Sequence, residues 1–411
     1  MDLLLTTKGG DATTWRAAQE FAAAYQKTLF DQVASDHCGS AESVFSAASA
    51  TLETAIATHL EAVKRLENLI AEVAAARLST NISELTITFY TELYRYFDHF
   101  RSAPAFYQLS MTFLRQASAA IIAHTTDQLG LFARHLPEMS LIAVGPAGRA
   151  EYSPFCPLQI LLVHGEITAS QTQTINLFCH TLHDGFVEAG FSLDPVITPR
   201  TPSWRGTEGE WHKRCEDALL QGSDDTVINL CRLVDQYPLT PAEGFAVELK
   251  NNCHATLNGS RPSLANLIGR TTALSNGLNL MGRFKLERGE NERGLFRLLD
   301  HGLLPLSAAL SALALIKESP AVSTCERIRD LLKRGELDVE LAERMLATWH
   351  SLHGLCLQRE QMFHVDEHST LSLLLNPEEL TVRQRHTLKE ALESVAIIQR
   401  HLAITFSGMG E

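Results

Sequence analysis

Ser140-Leu141-Ile142-Ala143-Val144-Gly145-Pro146-Ala147-Gly148-Arg149-Ala150-Glu151 is the stretch that decides the fold. Its first five residues form a short apolar run, the pattern of a buried strand. The run leads straight into two glycines three apart, followed by an arginine. About eleven residues on, Gln159-Ile160-Leu161-Leu162-Val163-His164 is a second apolar run, closed by Gly165. Helical periodicity covers about 170–189, and 191–198 reads as one more strand. Strand, glycine turn, strand and helix make an α/β patch, and no other part of the chain shows one.

Helices flank that patch on both sides. From 41 to 78 there is no Gly or Pro, and Phe45, Ala48, Leu52, Ile56, Val63, Leu66, Ile70 and Val73 mostly recur at three- and four-residue steps. A helix this long belongs in a bundle or helical hairpin. Asn81 and Glu84 have capping-box spacing and predict the next helix start. Its aromatics, Phe89, Tyr90, Tyr94, Tyr96, Phe97 and Phe100, read as a helix–helix seam rather than a ligand cage. A third helix is expected over about 105–129. In the last third, Ser323 and Glu326 form a capping box and Gly335 ends that helix. Leu341, Met345, Trp349, Leu352 and Cys356 share one side of the next. Asn376-Pro377-Glu378-Glu379 predicts a final helix start, followed by Leu388, Leu392, Val395, Leu402 and Phe406 on one face.

The expected architecture is mainly α with a small central α/β domain. It divides into an N-terminal helical domain (1–137), the α/β domain (138–254) and a C-terminal helical domain (255–411). Composition agrees with a globular chain: 411 residues, 45% hydrophobic and 20% charged. The formal net charge is −13, and 15 acids against 7 bases place −8 of it in residues 138–254. That balance excludes a general nucleic-acid or anionic-membrane binder, since both need a basic face. No run reaches the roughly 18–20 consecutive apolar residues of a membrane span. The start Met1-Asp2-Leu3-Leu4-Leu5 lacks the basic and apolar regions of a secretory signal. Eight scattered cysteines without a Cys-x-x-Cys predict free buried thiols in a reducing cytoplasm rather than a disulfide or zinc framework.

Glycines let backbone N–H groups approach phosphate oxygens, and two carboxylates at i and i+2 on the next strand can hold Mg²⁺ against a triphosphate. In this layout the chain resembles the bacterial nucleotidyltransferases similar to the N-terminal domain of protein-PII uridylyltransferase, often fused to CBS domains. The family pattern Gly-Ser-x-Gly-Arg-x-Glu is met at Gly145, Gly148, Arg149 and Glu151. Pro202-x-Trp204-Arg205 with Trp211, and Leu233-Val234-Asp235, resemble later family stretches. So do 302–306, 323–328, 357–361 and the final helix. The resemblance runs from about residue 45 to the end and includes no CBS segment. It implies phosphate binding at Gly145, Gly148 and Arg149.

The departures fall on the chemistry. Pro146 stands where the family has its loop Ser. The family's paired metal-binding Asp positions fall on Pro157 and Gln159, and Arg297-Leu298-Leu299 replaces a C-terminal Asp-x-Lys. Glu151 and Asp235 are the residual acids. The expected function is therefore a degenerate nucleotidyltransferase, a pseudoenzyme acting as a regulatory or interaction module in signal transduction. It is expected to hold no metal or cofactor, to bind nucleotide weakly or not at all, and to meet a protein partner or a second copy through its helical domains. One alternative is an active enzyme moving NMP from Mg-NTP to a protein or small molecule through an altered metal site. Another is a structural assembly subunit.

Other constellations read blandly. Trp204 and Trp211 are expected as packing anchors. His364-x-x-Glu367-His368 matches an inverted zinc-protease motif but sits in a predicted loop, where the two His do not share a helical face. His180 and His183, with Asp184, lie on a predicted helix.

Overall fold

A computed structural model describes residues 41–76, 79–221, 232–240, 244–289, 292–362 and 373–408. The His364–His368 motif, Met1 to Leu5, Cys38 and Cys231 lie outside them. Among the described residues the chain is mainly helical with a small mixed sheet, as the sequence predicts.

Among the described residues three long helices come first: α1 (Ala41–Ala75), α2 (Ser79–Phe100) and α3 (Ala103–Leu129). Helix α3 starts where Ser102 caps the Ala105 N–H. The start of α2 precedes Asn81, so Asn81 lies inside the first turn rather than at the cap. The aromatic seam forms as expected. Phe89 stacks on Phe113 of α3 at 4.0 Å between ring centroids, and Phe97 packs edge-on against Phe106. On α1, Leu66 and Val73 are buried, but Ile56 is 40% exposed. The predicted stripe thus does not meet the core at Ile56, where His59 and Ala62 are the next buried positions.

Strand β1 (Met139–Val144) runs into a single helical turn, α4 (Gly145–Gly148), and returns as β2 (Gln159–His164). Helix α5 (Ala169–Glu188) follows, then β3 (Arg205–Gly206), α6 (Glu208–Gln221), β4 (Gln236–Pro238) and α7 (Gly244–Asn258). The sheet order is β3-β2-β1-β4, with β1 antiparallel to β2 and β4 and β2 parallel to β3. The last five residues of both β1 and β2 are all buried, so the sheet centre has no solvent face. The strand expected over 191–198 is reduced to one isolated bridge, Leu193 to Leu158. Asp194 accepts hydrogen bonds from the Val196 and Ile197 N–H groups and turns the chain, and Pro195 cannot donate to a ladder.

The C-terminal bundle comprises α8 (Arg261–Ala273), a short antiparallel pairing of β5 (Phe296–Arg297) with β6 (Leu374–Leu375), α9 (Leu304–Ile316), α10 (Thr324–Lys333), α11 (Val339–Gln361) and α12 (Val382–Gly408). Both halves of the Ser323–Glu326 capping box form. The last helix begins later than expected. Asn376 accepts from the Glu378 N–H and shapes a turn, and Thr381 with Gln384 supplies the capping box. The stretch Leu299–Ile316 is apolar and long enough to cross a membrane by composition, and 61% of it is buried in the bundle.

Helix α1 depends on burial against α2 and α3 rather than on propensity. Leu66→Ala is expected to lower the unfolding free energy by about 2–5 kcal/mol in urea denaturation; an unchanged midpoint would show that α1 is not docked.

Candidate functional site

The glycine turn has a clear local cause. Gly145 takes a positive φ of 62°, which places it in the region that glycine adopts without penalty. A Cβ there would collide with the Gln159 side-chain oxygen. Gly148 packs against β4, where a Cβ would collide with the Asp235 carbonyl oxygen. Gly145 is therefore explained by its left-handed backbone and Gly148 by close packing against the Asp235 backbone.

Arg149 points inward. Its Nε donates to Glu151 at 2.9 Å and its terminal nitrogen donates to Asp235 at 2.9 Å. Asp235 also accepts from Arg327 of α10 at 2.6 Å and from Ser311 of α9 at 2.9 Å. Glu151 accepts from the Trp349 indole of α11 at 2.8 Å. Gly145, Gly148, Arg149, Glu151 and Asp235 therefore do gather in one place, and that place is the seam between the sheet and the C-terminal bundle. Glu151 and Asp235 are each only 4% exposed. Two arginines face two carboxylates, so the cluster is balanced in charge.

Burial alone would raise the Asp235 carboxyl, but Arg327 and Arg149 outweigh it and hold the group below the usual carboxylate range. Glu151 behaves likewise: burial opposes ionisation and Arg149 restores it. His353 lies 4.0 Å from Glu151, stacked on Trp349 and hydrogen-bonded to the Tyr107 hydroxyl at 2.9 Å. Burial pushes the His353 imidazole down to about 4, so it is neutral at physiological pH. That leaves Arg149 as the cation that keeps Glu151 ionised.

A third buried carboxyl ties three parts of the chain. Glu360 of α11 accepts from Tyr94 of α2 at 2.9 Å, from Ser153 at 2.9 Å and from Cys356 at 3.4 Å. Burial raises it to about 7, against the opposing pull of those hydrogen bonds.

At the two positions that the resemblance assigns to metal-binding acids, Pro157 is exposed and offers no ligand. The Gln159 oxygen lies against Gly145, and its Nε2 donates to Asp194 at 2.9 Å. Asp194 is a carboxylate that sequence reading overlooked. One of its oxygens takes two backbone N–H groups and the other takes Gln159. These residues do not fit a two-metal site, which needs paired carboxylates with free oxygens. Among the described residues no group of three or more His, Cys, Asp or Glu is placed to hold a metal.

Residues 88–225 match the family described as "Putative nucleotidyltransferase DUF294", and residues 261–406 match the one described as "Putative nucleotidyltransferase substrate binding domain". The chain carries putative nucleotidyltransferase domains. No curated protein matches it. The glycine turn and Asp194 lie in the first matched segment, and Arg327, Trp349 and Glu360 in the second. The buried cluster therefore joins the nucleotidyltransferase segment to the segment described as substrate-binding.

Trp204 and Trp211 are buried, and the Trp211 indole donates to the Leu162 carbonyl at 3.2 Å. Arg205 and Arg214 are engaged by main-chain carbonyls, of Pro199 and of Ser203 and Arg205 respectively. Arg205 and Arg214 border a cleft of about 640 Å³ at the His164 end of β2. That is the opposite end of the strand from Gly145, roughly 17 Å away at strand rise. The cleft mixes Glu166 and Glu210 with Arg205 and Lys213.

Arg327, Trp349 and Glu360 carried a readable signal. Each interrupts or extends an otherwise apolar helical face, Arg327 beside Ile328 and Leu331, and Glu360 one turn beyond Cys356. A charge on a buried stripe implies a buried partner. Which partner was not readable.

Asp235→Asn is expected to cost about 3–5 kcal/mol of stability, because it leaves Arg327 buried without its carboxylate; a loss under about 1 kcal/mol in urea denaturation would refute the network's role. Glu360 gives a test of opposite sign. Its folded value, about 7, exceeds the ordinary 4.5, so its contribution is full at low pH and lost as pH rises through 7. Relative to wild type, Glu360→Gln should gain roughly 3 kcal/mol in stability between pH 4.5 and pH 8. Parallel stability–pH curves for the two proteins would contradict the assignment.

Proposed function

We propose that this chain is a nucleotidyltransferase-type protein whose transfer site has become a structural joint, and that it acts as a regulatory or interaction module. The observation that carries the reading is the state of Gln159. Its amide nitrogen donates to Asp194 and its oxygen packs beside Gly145, at a position where the resemblance expects a metal-binding carboxylate. The acids left nearby are already committed: Glu151 to Arg149 and Trp349, Asp235 to Arg149, Arg327 and Ser311. Phosphoryl and nucleotidyl transfer depends on electrostatic stabilisation of developing charge. A neutral amide and a proline supply none at the two decisive positions.

The acidity of residues 138–254, net −8, supports the same reading. Without cations to screen it, a triphosphate meets a repulsive field. The matched C-terminal segment is held to the sheet by the ion network, so what this pairing presents to a partner is one joined surface.

Titration calorimetry with Mg·ATP, Mg·UTP and Mg·GTP is expected to give no heat, and Mg²⁺ or Mn²⁺ no thermal shift. The double substitution Pro157→Asp, Gln159→Asp should introduce a Mn²⁺-dependent thermal shift that the native chain lacks. Mg-dependent incorporation of labelled NMP by the native chain would overturn the proposal and establish the active alternative.

A further inference from the structure

Two cysteines do not fit the picture of isolated buried thiols. Cys215 of α6 and Cys253 of α7 lie side by side, with their sulfurs 3.4 Å apart in an S–H···S hydrogen bond. Both are fully shielded from solvent. Among the described residues no other two cysteine sulfurs are in such contact, and Cys156, Cys179, Cys325 and Cys356 are single thiols. A disulfide requires the two sulfurs to close to about 2.05 Å, a shift of roughly 1.4 Å between two side chains already in contact.

We propose that Cys215 and Cys253 form a reversible oxidation site whose oxidant is hydrogen peroxide and whose product is a disulfide joining α6 to α7. The electrostatics favour Cys215 as the attacking sulfur. The hydrogen bond from Cys253 lowers the Cys215 thiol, with Arg214 adding to the effect, and the same hydrogen bond raises Cys253. Burial instead pushes Cys156 up to about 12 and Cys179 up to about 11. The reactive form of a cysteine is its thiolate. Peroxide is little larger than water and reaches a buried thiol through local opening.

The chemistry balances in two steps. The Cys215 thiolate attacks one peroxide oxygen, the O–O bond breaks, and the departing hydroxide takes a proton to leave as water, giving the sulfenic acid. The Cys253 sulfur then attacks the Cys215 sulfur, the S–O bond breaks, and the leaving hydroxide takes the Cys253 proton. The two thiols lose two electrons and two protons, and peroxide becomes two waters.

Position gives the bond a consequence. Between the two cysteines the chain passes through Asp235 and β4. Joining α6 to α7 would fasten the ends of the segment that carries Asp235 into the Arg149–Arg327 network. Oxidation therefore stiffens the joint, and reduction returns it to packing alone.

The full-length chain would be reduced, treated with hydrogen peroxide, denatured, alkylated and mapped by mass spectrometry. Trypsin cuts after Arg214 and Lys250, and a second cut before Asp217 separates Cys215 from Cys231. The expected product is a Cys215–Cys253 cross-link, reversed by dithiothreitol, with a higher melting temperature in the oxidised protein. Cys215→Ser and Cys253→Ser should each abolish both effects. Mapping the unsubstituted chain keeps the test valid if a serine variant does not fold. Full alkylation of both residues after peroxide, or linkage of either to another cysteine such as Cys231, would falsify the site.

Discussion

The structure turns on the Asp235 carboxylate. It sits between Arg149 of the glycine turn and Arg327 of α10, with Ser311 of α9 completing its shell. A buried ion pair costs desolvation energy that only good geometry and full hydrogen bonding offset. Here both conditions hold, so the sheet and the C-terminal bundle have one strongly preferred arrangement. If either segment moved away, it would leave a buried charge without a partner, and that cost makes the seam specific.

The same seam gives each residue of the glycine motif a packing role of its own. Gly145 leaves room for Gln159, Gly148 leaves room for the Asp235 backbone, and Arg149 spans Glu151 and Asp235. Each therefore has a structural role that does not require a bound phosphate. The ion network also divides the protonation states. Asp235 and Glu151 are held ionised by arginines, His353 is held neutral by burial, and Glu360 is raised to about 7. The two carboxylates that face arginines stay ionised, whereas Glu360, which faces only hydroxyl and thiol donors, is held closer to its neutral form.

The N-terminal helices join this arrangement through α11. Tyr94 and Tyr107 hydrogen-bond to Glu360 and His353, which lie in the last turn of the helix and about two turns before its end at Gln361. Helix α11 thus reaches Glu151, just past the glycine turn, through Trp349, and α2 and α3 through their two tyrosines. The aromatic seam of α2 and α3 supplies the rigid backing for those hydroxyls.

Local patterns were readable because they depend on neighbours along the chain. The residues of β1 and β2, the glycine turn, the Ser323 capping box and the amphipathic stripes all follow from apolar periodicity and short-range hydrogen bonds. That positions 157 and 159 carry a proline and a neutral amide was equally plain, since side-chain chemistry is written in the residue itself. Some local readings failed where a nearby competitor won. Thr381, not Asn376, caps α12, and Asp194 with Pro195 dissolves the strand expected over 191–198. Only the tertiary structure decided what the remaining acids do. Asp235 and Arg327 are 92 residues apart and Glu151 and Trp349 are 198 apart. No periodicity reaches across such separations, so whether Asp235 faces a metal or an arginine is settled by how the helices of the last third pack against the sheet.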